Sequence, residues 1–302
     1  MASITADWRT AADPDDLREY DRFGPWIDHI GEPADMPRRF RQWWPELGEA
    51  TYLLKVPRAY DRAQVRPGMD LFESVLAAFP DRLCVLRAQP GEIVRTDVAR
   101  DEIVASVRHT NLLIGRWSSL LADGTRVDVE FNSVSHALIT EVERFLMSDD
   151  LTSATPVPTP EVAPADHFHK SVLNTLNAGE PLRIRPVHVE EPGRPCRTDR
   201  GRRRRAAGLV VLASGADLVL FNRDLAVQPR FRRANYAYNL IRVPFRRITS
   251  FEVRSPLDTS PPGFCQLVLR CREQEIVQPC LTRPDAVAAL LDAHGVARTG
   301  QD

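Results

Sequence analysis

A run of arginines in the second half of the chain has the chemistry to bind anions. Between residues 194 and 247 there are fourteen Arg and three acids, all of them Asp. This stretch has a formal charge of +11, whereas the rest of the chain has −12. Guanidinium groups are planar, permanently charged and able to bind phosphate or carboxylate bidentately. The candidate anion-binding residues are Arg183, Arg185, Arg202, Arg203, Arg204, Arg205, Arg232 and Arg233.

The same arginines have two other interpretations. The segment from Arg194 to Arg205 could be a solvated loop, with the remaining arginines paired to acids of this protein. Alternatively, Tyr236 and Tyr238 together with the neighbouring arginines could stack nucleic-acid bases and clasp phosphates. A steep loss of affinity with salt would mark nucleic-acid binding. Because Lys occurs only twice among 40 basic residues, the choice of Arg at any one site is not informative.

Other chemically active residues give weaker signals. His167 and His169 form an HxH pair, but the spacing of Phe168, Val172, Leu173 and Leu176 favours an ordinary amphipathic helix. The sequence contains no GxGxxG, GxxxxGK[ST], GxSxG or HExxH motif. We therefore expect a non-enzymatic protein without a cofactor or a metal. An enzyme with its site between two domains stays open as an alternative, because catalytic groups can be dispersed in sequence.

Composition indicates a cytoplasmic protein. The first residues include several acids and no apolar core, unlike a secretory signal, and no apolar run is long enough to span a membrane. The five cysteines are odd in number and contain no CxxC pair, so neither a disulfide framework nor a zinc site is indicated. Cys265 and Cys271 alternate with Leu267 and Leu269 on one predicted strand face, which places both thiols in the core.

A proline-rich spacer divides the chain. Residues 148–165 contain four Pro among Ser, Thr and acids. Proline cannot donate a ladder hydrogen bond and favours an extended, semi-rigid spacer. We therefore predict one domain at 50–147 and another at 166–298, after an N-terminal extension at 1–49.

Both predicted domains have the same order of elements. Alternation of apolar and polar residues predicts seven strands in each, and a change to helical spacing predicts one closing helix. In the first domain the strands are predicted at 51–60, 71–79, 82–87, 92–98, 103–108, 117–121 and 125–132, and the helix contains Leu138, Val142, Phe145 and Leu146. In the second they are predicted at 181–190, 206–214, 217–222, 240–245, 248–254, 264–271 and 275–281, followed by a helix at 284–293.

Individual residues support this repeat and its boundaries. Val98 and Ile103 of the first domain correspond to Val243 and Ile248 of the second, five residues apart in both. Thr282 and Asp285 resemble a capping box at the start of the last helix. In the N-terminal extension we predict a helix from Asp15 to Ile30. Phe40, Trp43 and Trp44 are expected to cover the first domain, with a partner-binding patch as the alternative.

The element count and the closing helix resemble the pleckstrin-homology-like (PH-like) fold, a bent sandwich of seven antiparallel strands covered by a C-terminal helix. Some members hold phosphoinositide headgroups with basic residues at the end of strand one and the start of strand two. Arg183, Arg185, Arg203 and Arg205 stand at the matching positions of the second domain. In the first domain acids follow Arg66, so the resemblance implies no such site there.

The sequence thus predicts a mainly β (α+β) protein with tandem PH-like domains and an Arg-rich loop between strands one and two of the second. We expect a binding or scaffolding protein that engages a protein partner or an anionic membrane surface, which would place it at the periphery of the membrane. Nucleic acid is the alternative ligand. Open sheet edges could also pair between two copies of the chain to form a homodimer.

Overall fold

Runs of β-branched and aromatic residues form strands along most of the chain, and the architecture is mainly β with antiparallel sheets. The computed structural model describes residues 12–147, 166–177, 184–192, 208–223, 237–254 and 265–300, and the backbone of 195–197 and 203–205. The strands before the proline-rich segment are β1 (Asp28–His29), β2 (Tyr52–Pro57), β3 (Phe72–Ala78), β4 (Arg82–Gln89), β5 (Glu92–Ala99), β6 (Ile103–Asn111), β7 (Ile114–Leu121) and β8 (Arg126–Asn132).

The strands that follow are β9 (Arg185–Glu190), β10 (Pro195–Arg197), β11 (Arg203–Arg205), β12 (Leu209–Ala213), β13 (Asp217–Arg223), β14 (Tyr238–Pro244), β15 (Ser250–Arg254), β16 (Cys265–Cys271), β17 (Gln274–Cys280) and β18 (Ala297–Arg298). The helices are α1 (Pro14–Arg22), α2 (Trp44–Leu47), α3 (His136–Met147), α4 (His167–Asn177) and α5 (Asp285–Ala293). Within the described part of the chain, no helix combines the length and the apolar character needed to cross a bilayer.

The order of elements repeats along the chain. Strands β2 to β5 are neighbours in one sheet, and a short 3-10 helix, strands β6 to β8 and α3 follow them. After the proline-rich segment, β9, β12, β13 and β14 are again sheet neighbours, and a 3-10 helix, β15 to β17 and α5 follow. The two 3-10 helices lie between the corresponding pairs Val98/Ile103 and Val243/Ile248, and all four of these residues are buried. In both stretches, the five-residue spacing thus separates two buried residues on either side of a 3-10 helix.

A strand from before the proline-rich segment pairs with a strand from after it, which the sequence pattern does not indicate. Strand β6 pairs antiparallel with β14, which produces a seven-stranded sheet in the order β8-β7-β6-β14-β13-β12-β9. The chain accordingly divides into a compact unit of residues 1–101, 113–115 and 130–146 and a second of 102–112, 116–129 and 147–302. This division differs from the predicted domains, because the hydrogen bonds to β14 draw β6 and most of β7 into the second unit.

The first unit has a core built from its five-stranded sheet and the N-terminal extension. Phe40 is fully buried against Phe72 and Val75, and Trp43 and Trp44 pack at the margin of the same cluster. These aromatics thus cover the first core, as predicted. The predicted helix at 15–30 is too long, since α1 ends at Arg22 just before a Gly-Pro step that cannot continue it.

The second unit buries both faces of its long sheet. One face packs against β15, β16, β17 and α5. The core formed there includes the buried residues Cys265 and Cys271 of β16. The other face is covered by α4 through Phe168, Val172, Leu173 and Leu176. The core position of the two cysteines and the amphipathic helix predicted from residue spacing are both confirmed.

A buried ion pair lies within this long sheet. Arg242 on β14 donates from Nη1 to Oδ2 of Asp217 on β13 at 2.8 Å, and both side chains are buried. Two charges in such a place are tolerated because each offsets the desolvation of the other. One of the fourteen arginines between residues 194 and 247 therefore has a structural role inside the protein.

Replacing Asp217 with Ala should therefore destabilise the second unit. The variant keeps the Arg242 charge buried without the Asp217 carboxylate, and we expect the free energy of unfolding to fall by about 3–5 kcal/mol in urea titrations. The double variant Asp217→Ala/Arg242→Met should recover most of this loss, because it removes the charge as well. An Asp217→Ala protein as stable as wild type would contradict a structural role for the pair.

Candidate anion-binding end of the seven-stranded sheet

Five neighbouring strands of the second unit are in register at one end of the sheet. The cross-strand partners run from β9 to β6 through β12, β13 and β14. The residues of this row are Glu190, Leu209, Asn222, Asn239 and His109. The connections β9–β12 and β13–β14 and the turn after β6 therefore all leave the sheet at the same end.

The β9–β12 connection carries a small hairpin of its own. Strands β10 and β11 pair antiparallel, so that Arg197 is the partner of Arg203, Cys196 of Arg204 and Pro195 of Arg205. Four arginines thus occupy six paired backbone positions of one short hairpin.

Behind this end lies a continuous chain of polar side chains. His109 Nδ1 donates to Oδ1 of Asn239 (2.9 Å), and Asn239 Nδ2 donates to Oδ1 of Asn222 (3.0 Å). Asn222 Nδ2 donates in turn to Oε1 of Gln278 on β17 (2.7 Å), whose amide donates to the carbonyl of Pro279. Every link runs in the same direction, so the row is satisfied internally and closes this end of the core with polar groups.

Glu190 anchors the last strand of the row. Its Oε1 accepts hydrogen bonds from the backbone amides of Leu281 (2.7 Å) and Thr282 (2.9 Å), from the Thr282 hydroxyl, and from His188 Nε2 at 3.1 Å. Burial by itself would raise the pKa of this carboxyl, but the hydrogen bonds outweigh it and hold the pKa below its usual value. Glu190 is therefore a fixed structural anion at the base of the β9–β12 connection.

The contact with Glu190 also corrects the predicted capping box. The Thr282 hydroxyl donates to Glu190, and α5 begins after Pro284 with no side chain capping it. The motif thus predicted the start of the helix correctly, but it predicted the wrong partner for Thr282. The carboxylate that binds Thr282 is distant in sequence.

The structure brings only part of the predicted anion site together. Arg203, Arg204 and Arg205 lie on β11, in the β9–β12 connection. We call the end of the sheet where the β9–β12 and β13–β14 connections leave it the Arg-bearing end. Arg185 begins β9 and is the partner of Ala213, about 16 Å along the strand from Glu190 and hence at the opposite end of the sheet. Arg183, Arg202, Arg232 and Arg233 lie outside the described residues.

Two further arginines of the basic stretch have internal roles. Arg242 belongs to the buried pair with Asp217, and the Arg223 guanidinium lies 4.7 Å from the centre of the Phe168 ring. The interpretation that some of these arginines pair within the protein is therefore correct for Arg242. Ten of the fourteen arginines belong to the connections at 191–208 and 224–237.

His169 of the HxH pair has a structural environment. It is 1% exposed, its ring packs edge-on against Phe221 at 5.2 Å, and neither ring nitrogen has a hydrogen-bond partner. Burial lowers its pKa, outweighing the attraction of Asp166 and Glu191, and Arg223 acts in the same direction as burial. Within the described part of the chain, no group of three His, Cys, Asp or Glu residues is placed to hold a metal ion.

One surface feature was missed by reasoning from the sequence. Leu112 and Leu113 form the turn between β6 and β7, and Ile114 is the first residue of β7; they are 63%, 63% and 67% exposed. The predicted strands at 103–108 and 117–121 left these residues unassigned. Three consecutive aliphatic residues at a turn, where polar residues are usual, were the signal that could have revealed them.

Replacing His169 with Phe should reduce the amount by which the free energy of unfolding falls between pH 7 and pH 5. Because its pKa in the folded state lies below the usual value, protonation opposes folding. The stability contributed by neutral His169 is fully present above about pH 6.5 and is lost as the pH falls. Urea unfolding at the two pH values measures the change, with exposed His29→Phe as the matched control. An unchanged slope in the His169 variant would show that its buried ring does not titrate with unfolding.

Comparisons with known proteins do not assign a role to this end of the sheet. No family model matches the chain, and no curated protein is detectably similar to it in sequence.

Proposed function

We propose that this chain is a non-enzymatic binding protein with two PH-like domains, in the sequence segments 50–147 and 166–298. The second domain binds an anionic partner, either a protein or a membrane surface, with the Arg-bearing end of its sheet. The repeated order of four strands, a 3-10 helix, three strands and a helix supports the PH-like assignment. By this order, β9 and β12 are the first and second strands of the second PH-like domain.

The observation that carries the proposal is the position of the β10–β11 hairpin. It lies in the connection between strands one and two, where members of the PH-like fold that bind headgroups have their basic residues. Residues 191–208 contain seven Arg and only two acids, Glu191 and Asp199. Guanidinium groups bind phosphate and carboxylate bidentately, so a connection of this composition suits an anionic partner.

A second connection adds to the charge at this end. Residues 224–237, between β13 and β14, include Arg230, Arg232 and Arg233 against the single acid Asp224. Both connections start and finish in the row of residues that contains Leu209 and Asn222. A partner that approaches this end of the sheet therefore meets the positive charge of both.

The polar groups behind the arginines favour binding over catalysis. Glu190 is occupied by the Leu281 and Thr282 amides, and the side-chain amides of Asn222 and Asn239 are committed to their chain of hydrogen bonds. Groups held in this way give the end of the sheet rigidity. Rigid support is what a surface needs in order to present charged side chains to a partner.

The test is a triple variant of the hairpin, Arg203→Ala/Arg204→Ala/Arg205→Ala. Each arginine near an anionic surface contributes about 1 kcal/mol, so the variant should bind phosphatidylserine-containing vesicles and heparin beads roughly a hundredfold more weakly. Vesicle sedimentation and salt elution from the beads provide the measurements. Binding by wild type should weaken as salt is added.

The matched control removes three charges elsewhere. Arg18→Ala/Arg126→Ala/Arg283→Ala replaces largely exposed arginines with the same change in net charge. This control should bind both probes much as wild type does. Equal binding by the hairpin variant and the control would sink the proposed site. A strong preference for polynucleotide over both probes, with a steep dependence on salt, would instead favour nucleic acid as the ligand.

A further inference from the structure

Two cysteines face each other across the β16–β17 hairpin. Cys265 is the first residue of β16 and Cys280 is the last of β17, and they are cross-strand partners in the antiparallel register. Both side chains are buried in the same core, and both thiols are free. Directly opposed residues of antiparallel strands have Cα atoms about 4.5–5.5 Å apart, within the range of about 4.4–6.8 Å found for disulfides. The register therefore allows a disulfide between them.

The two thiols also interact with each other. When protonated, the Cys265 thiol donates to the Thr282 carbonyl oxygen, which lies 3.3 Å from Sγ. A hydrogen bond between the two sulfurs lowers the pKa of Cys265 below its usual value, although burial acts in the opposite direction. The same bond, together with burial, raises the pKa of Cys280. Cys265 is thus the thiol that loses its proton, and Cys280 keeps its proton and donates it in a hydrogen bond to the Cys265 thiolate.

Cys271 provides a comparison on the same strand. It belongs to the same buried core, but its cross-strand partner is Gln274 instead of a cysteine. Burial raises the pKa of the Cys271 thiol to about 12. Burial likewise raises the pKa of Cys84, in the first unit, to about 12. Because the thiolate is the nucleophile, burial makes these two cysteines unreactive, whereas Cys265 keeps its nucleophilic character.

The cysteine pair lies where the hairpin can open to a small reagent. Among the described strands, β17 is the outermost strand of its sheet, and Cys280 ends it. The last positions of an outer strand separate more readily than the middle of a sheet. Directly after Cys280, the amides of Leu281 and Thr282 donate to Oε1 of Glu190 at 2.7 and 2.9 Å. This anchor keeps Cys280 within reach of Cys265.

From this register and this anchor we infer that Cys265 and Cys280 are a redox-active pair that a hydroperoxide, such as hydrogen peroxide, converts into a disulfide. The Cys265 thiolate attacks one peroxide oxygen, the O–O bond breaks, and the departing hydroxide takes up a proton to form water. The Cys280 thiol then condenses with the Cys265 sulfenic acid. In this step the S–S bond forms, the S–O bond breaks, and the departing oxygen takes the Cys280 proton and leaves as a second water. The two thiols supply the two electrons that reduce the peroxide.

Hydrogen peroxide suits this site because it is close to water in size and needs only a small opening of the strand ends. Since Cys280 is held opposite Cys265, condensation precedes attack by a second peroxide, which would give the irreversible sulfinic acid. A reducing thiol restores both cysteines by thiol–disulfide exchange. This reaction is independent of the anion-binding proposal, because it is measured on the thiols themselves.

The test is to reduce the full-length protein with dithiothreitol, desalt it and treat it with hydrogen peroxide. Wild type should lose two of its five thiols, counted after denaturation, and dithiothreitol should restore both. Trypsin cleaves after Arg270 and Arg272, so the disulfide should join two separate peptides, with a mass lower than their sum by two hydrogen atoms. Cys265 should be oxidised at least about tenfold faster than Cys84 or Cys271.

Single variants assign the two roles, with Ala as a small apolar substitute for a buried thiol. Cys280→Ala should form no cross-link and should retain a Cys265 sulfenic acid that dimedone traps. Cys265→Ala should form neither product. The matched control, Cys271→Ala, removes a buried thiol from the same strand and should form the disulfide as wild type does.

The wild-type measurement stands by itself if a variant fails to fold, and thermal midpoints of the reduced proteins identify such a variant. Wild type that keeps all its thiols under peroxide would overturn the inference. A disulfide that joins Cys265 or Cys280 to any other cysteine would overturn it equally. A folded Cys280→Ala protein without a dimedone adduct would contradict the role of Cys265 as the attacking thiol.

Discussion

The hydrogen-bonded ladder between β6 and β14 is the constraint on which the rest of the second unit depends. It joins a strand from before the proline-rich segment to one that follows it, and it sets both in a single register from Ser106 to Thr110. Backbone groups of a strand edge must find partners, and here each edge satisfies the other. The same register decides which turns and connections leave the sheet at one end, and thus which side chains can act together.

At that end of the sheet, a row of hydrogen-bonded polar side chains forms the base from which the arginine-containing connections leave. Glu190 is held by backbone amides of the segment before α5. The amides of Asn222, Asn239 and Gln278 are hydrogen-bonded to one another across two strands of the long sheet and one strand of the facing sheet. Such networks contribute rigidity when every member is paired. The positively charged hairpin therefore extends from a base that does not need a ligand to hold its shape.

Periodicity in the sequence determined the elements. Alternation along β2 to β5 and again along β12 to β17 predicted strands within a few residues, and the spacing of Val142 and Leu146 predicted a helix, because side-chain period is a local property of strand and helix geometry. The concentration of Arg between 194 and 247 identified the charge, since charge is additive. Which edges pair, whether Arg185 joins Arg203 or lies at the far end of β9, and where Leu112 is exposed were decided only by tertiary structure. Each of these depends on contacts between residues far apart in the chain, and no local pattern records such contacts.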